Sequence, residues 1–228
     1  MKTRRIIVGI ETGNTQGQWA AAMVEVSGSG DDTVLYLKNF CSYRLPAELV
    51  TTFSALENRE KFDLEELAGI NFLVLHHLSK LYQEVIEGVD IDPDKVDLIG
   101  LKCLEINGMA FPNEPSALSE ITGRIVASRF YIGVEDSDGN VLPVKESLLK
   151  GMVGDMIDKF GIESEVREAV AVALLANESL FHESSDIFGA KGRGRTEKKR
   201  PSLKAIKRTG AKAGKENACL CGEFFFPA

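Results

Sequence analysis

At 228 residues, with 44% hydrophobic and 27% charged residues, the chain suits one medium globular domain with an appendage and lies outside the disordered class. Only 7% is aromatic, so the expected core is aliphatic. The net charge of −7 hides two unlike parts: residues 190–228 carry 11 Lys and Arg against 3 Asp and Glu, while the rest carries 16 against 31. An acidic body argues against nucleic-acid binding by the body itself.

Residues 5–10 are β-branched and apolar and run into the turn formers of residues 11–17, which predicts a buried strand ending in a tight turn. Residues 19–26 and 33–37 read as second and third strands separated by the Gly/Ser/Asp turn of 27–32, an antiparallel meander. A short helix is expected over 47–53 with Pro46 in its first turn. The clearest element is a helix over 63–87, where Leu64, Leu67, Val74, Leu78, Leu81 and Val85 form one stripe. Residues 96–101 read as a buried strand, 116–122 as a helix capped by Ser116 and stopped by Gly123, and 124–128 as a fifth strand. Residues 131–143 form a turn-rich connector or hairpin, followed by helices over 148–160 and 163–181. Beyond Gly189 apolar periodicity ends, and the tail is expected to be disordered.

No run reaches the ~18 apolar residues of a membrane span, and the basic Met1–Arg5 is followed by too short an apolar stretch for a signal peptide. The four cysteines, Cys41, Cys103, Cys219 and Cys221, are too scattered for a disulfide framework and fit a reducing compartment. His76 and His77 sit about 100° apart on one helix without metal-ligand partners at the next turn, and read as surface or half-buried histidines. Asp136, Asp138, Gly139 and Asn140 read as a plain turn rather than a calcium loop, because position 12 of such a loop falls on Ser147. The basic clusters 198–201 and 204–208 read as a solvated charge run, a nucleic-acid-binding arm or a nuclear-import signal.

The order strand, polar turn, strand, strand, then helix–strand units resembles that expected of one lobe of the actin-like ATPases. The sequence V-G-I-E-T-G-N-T-Q-G of residues 8–17, continued by the strand to Val26, resembles the opening of the anhydro-N-acetylmuramic acid kinase family. D-K-V-D-L-I-G at 94–100, P-S-A-L-S-E-I-T-G at 115–123, I-V-A-S-R-F at 125–130 and E-A-V-A-V-A-L-L-A at 168–176 are similar to later family segments in the same order. Together they span roughly residues 5–182, and the weight lies in their order more than in any one piece.

The resemblance implies an α/β fold: a partial actin-like ATPase (ribonuclease H-like) lobe whose mixed sheet opens with an antiparallel three-strand meander, plus C-terminal helices and a disordered tail. It divides the chain into an ATPase lobe at 1–132, a connector at 133–147, a helical remnant at 148–189 and a basic tail at 190–228. It also implies ATP and Mg as the family's cofactors and an anhydro-amino sugar as its substrate. Thr12, Gly13, Asn14 and Thr15 would then form the phosphate-facing turn, since backbone N–H groups of small residues can point at anionic oxygens. Read from the residues alone, the same turn is an ordinary hairpin turn.

Three departures stand beside the resemblance. The family's metal-side carboxylate falls on Gly17, and its S-H-G-Q-T turn falls on Leu101, Lys102, Cys103, Leu104 and Glu105. Between Phe130 and Leu148 there is no room for its second phosphate loop or for the aspartate expected to act as base. Phosphoryl transfer depends on positioning and charge stabilisation, so these losses together predict a pseudoenzyme with at most residual nucleotide binding and no catalytic residues. The alternative is a non-enzymatic scaffold whose tail contacts nucleic acid or an acidic partner. A cytoplasmic location (nuclear, if the basic clusters are read) and a homodimer covering apolar surface complete the expectations.

Overall fold

Five consecutive apolar or small residues, Ile6 to Ile10, make a strand that can be buried on both faces, and the fold is built around it. The computed structural model describes residues 4–12, 17–29, 32–59, 63–106, 109–110, 114–135, 141–144, 157–158, 160–162, 166–187 and 218–227. Strand β1 (Arg4–Glu11) pairs antiparallel with β2 (Gln18–Ser27), which pairs antiparallel with β3 (Val34–Arg44). On its other edge β1 lies parallel to β4 (Val96–Lys102), which lies parallel to β7 (Val126–Glu135). Two-residue strands β5 (Glu105–Ile106) and β6 (Met109–Ala110) pair apart from this sheet.

The meander, the strands expected at 96–101 and 124–128, and the helices expected at 47–53, 63–87, 116–122 and 163–181 are present, with shifted ends. Helix α1 covers Ala47–Glu57 with Pro46 as its N-cap, and α2 covers Leu64–Glu87 with the Asp63 carboxylate accepting from the Glu65 amide. Helix α3 runs Glu114–Thr122, so Ser116 lies inside its first turn rather than capping it; Gly123, with φ of 66°, ends it as expected. Helix α4 spans Arg167–Ile187. The helix expected over 148–160 falls largely outside the described residues, as does the turn of 136–140.

The sheet order is β3-β2-β1-β4-β7, and β7 carries two further antiparallel partners, β8 (Val141–Val144) and β9 (Ala218–Phe225). Because β9 runs along β7 from Val126 to Val134, β4 and β8 must share the opposite edge. Strand β7 extends well past the expected Ser128, through a kink at Arg129, whose φ is 53°. Strand β9 corrects the expectation for the tail: its last described residues join the sheet, while 188–217 lie outside the described residues.

One face of the sheet, with Val8, Ile10, Trp19, Ala21 and Met23, packs on α1, α2 and α3. The other, with Ile7, Ala22, Val24 and Leu98, packs on α4. The chain is thus an α/β protein with the mixed sheet of a partial actin-like lobe. A buried polar clamp ties α4 to the amino-terminal end of β1: Arg5 Nε donates to Asn177 Oδ1 at 3.0 Å, and Asn177 Nδ2 donates to the Gly28 carbonyl at 3.2 Å. No described helix is long and apolar enough to cross a membrane.

Candidate functional site

In a sheet of this kind ligands are met outside the carboxyl ends of the parallel strands. Those ends bring together Glu11 and Thr12 from β1, Lys102 and Cys103 from β4, and Ser128 from β7. The parallel register sets Glu11 directly beside Lys102, and the Lys102 ammonium lies 2.9 Å from Glu11 Oε1. Burial, the largest influence on Lys102, would lower its pKa. The carboxylates of Glu11, Glu168 and Glu105 outweigh it and hold that pKa above the ordinary value.

Of the residues read from the sequence as phosphate-facing, Thr12 is fully buried, and its Oγ1 donates to the Lys102 carbonyl at 2.6 Å. Gly13, Asn14 and Thr15 lie outside the described residues. The turn closes at Gly17, whose φ is 82° and whose carbonyl accepts from the Leu45 amide at 2.8 Å. A Cβ at this position would overlap Val50 Cγ2 of α1. The position that would carry the metal-side carboxylate is thus a left-handed, tightly packed backbone site. Among the described residues no group of three or more His, Cys, Asp or Glu side chains could hold a metal ion. At Gly17 the described backbone carries no carboxylate where the resemblance would place one.

Deeper between β4, β7 and α3 sits a second cluster, which the sequence did not signal. Cys103 Sγ and Ser128 Oγ are 3.1 Å apart, and Ser128 Oγ donates to the Leu101 carbonyl at 2.7 Å. The fully buried Glu114 accepts from the Leu104 amide through Oε2 at 3.4 Å, while its Oε1 has no hydrogen-bond partner. Burial pushes the Glu114 carboxyl up to about 8, against the pull of the Leu104 amide and the Cys103 thiol. Cys103 is itself pushed up to about 12, by burial first and then by the Glu114 charge. A thiol so placed is inert, and among the described residues the partners of Ser128 Oγ are the Leu101 carbonyl and the Cys103 thiol, neither of them a general base.

Of the two α2 histidines, His76 is exposed and His77 is buried more deeply than expected, with its Nδ1 2.6 Å from the Tyr43 hydroxyl. What sequence reasoning missed at the strand ends was the Glu11–Lys102 pair. Its residues are far apart in sequence and meet only through the β1–β4 register.

No family model matches the chain. It is similar to an anhydro-N-acetylmuramic acid kinase of Caldanaerobacter subterraneus subsp. tengcongensis, with 24% identity over 159 residues. The match covers 63% of this chain and 40% of that relative, so the chain spans less than half the length of the curated protein it matches. The likeness is a distant, kinase-like relationship.

Proposed function

We propose that the chain is a degenerate relative of the anhydro-N-acetylmuramic acid kinases that no longer transfers phosphate and keeps at most residual nucleotide binding. The observation that carries this reading is Gly17: its left-handed backbone and its contact with Val50 leave no place for a carboxylate at the mouth of the first turn. The charge at the strand ends supports it. Lys102 is the ammonium found there, it is held by Glu11, and Glu105 and Glu168 add negative charge around it. A polyphosphate entering that field meets repulsion unless metal ions screen it.

The reading is tested with the whole chain by titrating labelled ATP with magnesium and by assaying phosphorylation of anhydro-N-acetylmuramic acid. The expected result is no turnover and a dissociation constant no tighter than about 1 mM, on the affinity scale where each decade is 1.4 kcal/mol. Turnover above background, or micromolar binding that needs magnesium, would overturn it.

A further inference from the structure

Strand β9 joins the sheet from far along the chain. Helix α4 ends at Ile187 and β9 begins at Ala218. The 30 residues between them, 188–217, carry 11 Lys and Arg against 2 Asp and Glu. Connections between packed elements are commonly a few residues long, whereas a connection of this length can reach up to about 100 Å, more than the width of such a domain. Chain connectivity therefore does not place β9. Its contacts on β7 do.

Those contacts read side chains as well as backbone. The ladder pairs Ala218 to Cys221 with Val134 to Tyr131, and Glu223 to Phe225 with Ser128 to Val126. Adjacent strand residues face opposite sides of the sheet, and each side here takes one phenylalanine. Phe224 packs with the core under α4, and Phe225 with the core under α1–α3. The fully buried Ser119 of α3 lies with its Oγ 3.1 Å from the Phe225 carbonyl.

Arg129 sits where the two stretches of ladder part. Among the described residues it is the one non-glycine at positive φ, a strained conformation for a long side chain. The kink takes it out of the ladder and sets its guanidinium 2.7 Å from a Glu223 oxygen and 5.7 Å from the centre of the Phe225 ring. Strain held at the one residue that grips two positions of a partner strand marks a recognition site. Extended peptides are bound in this way, by adding a strand to a sheet edge and seating selected side chains beside it.

We infer that the β7 edge carrying Arg129 is a binding groove for an extended peptide in which an acidic residue precedes two aromatic ones, and that residues 218–227 of this chain occupy it as a tethered, exchangeable ligand.

The full chain with a protease recognition sequence inserted between Thr209 and Gly210 tests this. After cutting, the fragment should stay bound at high protein concentration and leave on dilution, with circular dichroism reporting a folded body. A fluorescent peptide of residues 217–228 should then bind the cut protein saturably. It should bind the uncut chain about 100-fold more weakly, because the tethered strand competes at a high effective concentration. Glu223→Arg in the peptide should weaken binding to the cut protein about 10-fold, and Arg129→Glu in the protein should reverse that preference. Without any cleavage, the uncut Glu223→Arg chain should admit the wild-type peptide about 10-fold more readily than the uncut wild type does. Loss of fold on release overturns the inference, since β9 would then be part of the core. So does a fragment that a large excess of peptide cannot displace, or equal binding of peptides of either charge.

Discussion

Gly9 of β1 and Gly100 of β4 are direct neighbours across the parallel strand pair, and together they form the notch in which α4 lies. A Cβ on Gly9 would overlap the Ala169 carbonyl oxygen and stand 2.6 Å from the Ala173 nitrogen. One on Gly100 would stand 2.7 Å from the Val172 carbonyl and 3.0 Å from Ala176 Cβ. The helix answers with its own small residues: Ala169, Ala173 and Ala176 are fully buried against the strands. Glycine is needed at both positions for close approach rather than for an unusual φ.

Gly9→Ala should therefore destabilise the protein by about 3 kcal/mol or more, because helix backbone, not a flexible side chain, must move. Gly100→Ala should cost less, about 1–3 kcal/mol, since its contacts are longer. Urea denaturation monitored by circular dichroism checks both. An equal or reversed order would show that α4 does not seat on Gly9.

This contact also marks how far the sequence could be read. The β-branched runs at Ile6–Ile10 and Val96–Leu101 announced two buried strands, and the alanines of 168–176 announced a helix. Nothing local says that Gly9 stands beside Gly100, because register between distant parallel strands is set by the whole sheet. The same gap hid the Glu11–Lys102 pair at the candidate site, leaving Lys102 to be read only as a departure from a motif. In the tail, Cys219, Leu220, Cys221 and the three phenylalanines are strand-forming, but the long Lys/Arg/Gly run before them masked that signal. The strand end at Ser128 was misplaced because Arg129, at positive φ, interrupts the ladder without ending it.

Removing residues 218–228 should lower stability, where a disordered tail would leave it unchanged. Phe225 packs with the core beneath α1–α3, and Phe224 with the core beneath α4, so β9 contributes to both layers. Its carboxyl end is held as well: Ser119 Oγ donates to the Phe225 carbonyl at 3.1 Å, and Arg129 pairs with Glu223 at 2.7 Å with its guanidinium over the Phe225 ring. Two half-buried phenylalanines and a strand ladder are worth about 2–4 kcal/mol. Differential scanning calorimetry of the truncated chain reads the loss, and an unchanged midpoint would return β9 to the tail.

Gly17→Asp puts back the carboxylate that the kinase-like resemblance leads one to expect, and should gain nothing. An aspartate at φ of 82° is strained, and its Cβ meets Val50. The expected cost is roughly 2–4 kcal/mol, and Val50→Ala in the same chain should recover part of it by opening space. ATP–magnesium affinity should stay unchanged in both variants. Recovery of tight binding would mean that only the carboxylate was missing.

Stability should also vary with pH in a way that names Glu114. Its pKa in the fold is about 8 against an ordinary 4.5, so the native state binds a proton that the unfolded chain releases between those values. The contribution is then fully present below about 4.5 and is lost as pH rises toward 8, at up to ~1.4 kcal/mol per unit. His77 works in the other direction. Burial first, then His76 and Lys80, lower its pKa, so it is held neutral beside Tyr43 and its contribution is lost as pH falls from 6.5 toward its lowered value. Urea midpoints measured across the pH range should accordingly fall toward mildly alkaline pH in the wild type. Glu114→Gln keeps the shape and an amide oxygen for the Leu104 N–H without a titrating proton, and should flatten that limb while leaving the acid side unchanged. If the alkaline fall persists in Glu114→Gln, another group causes it, and the buried carboxyl is not the proton that the fold retains.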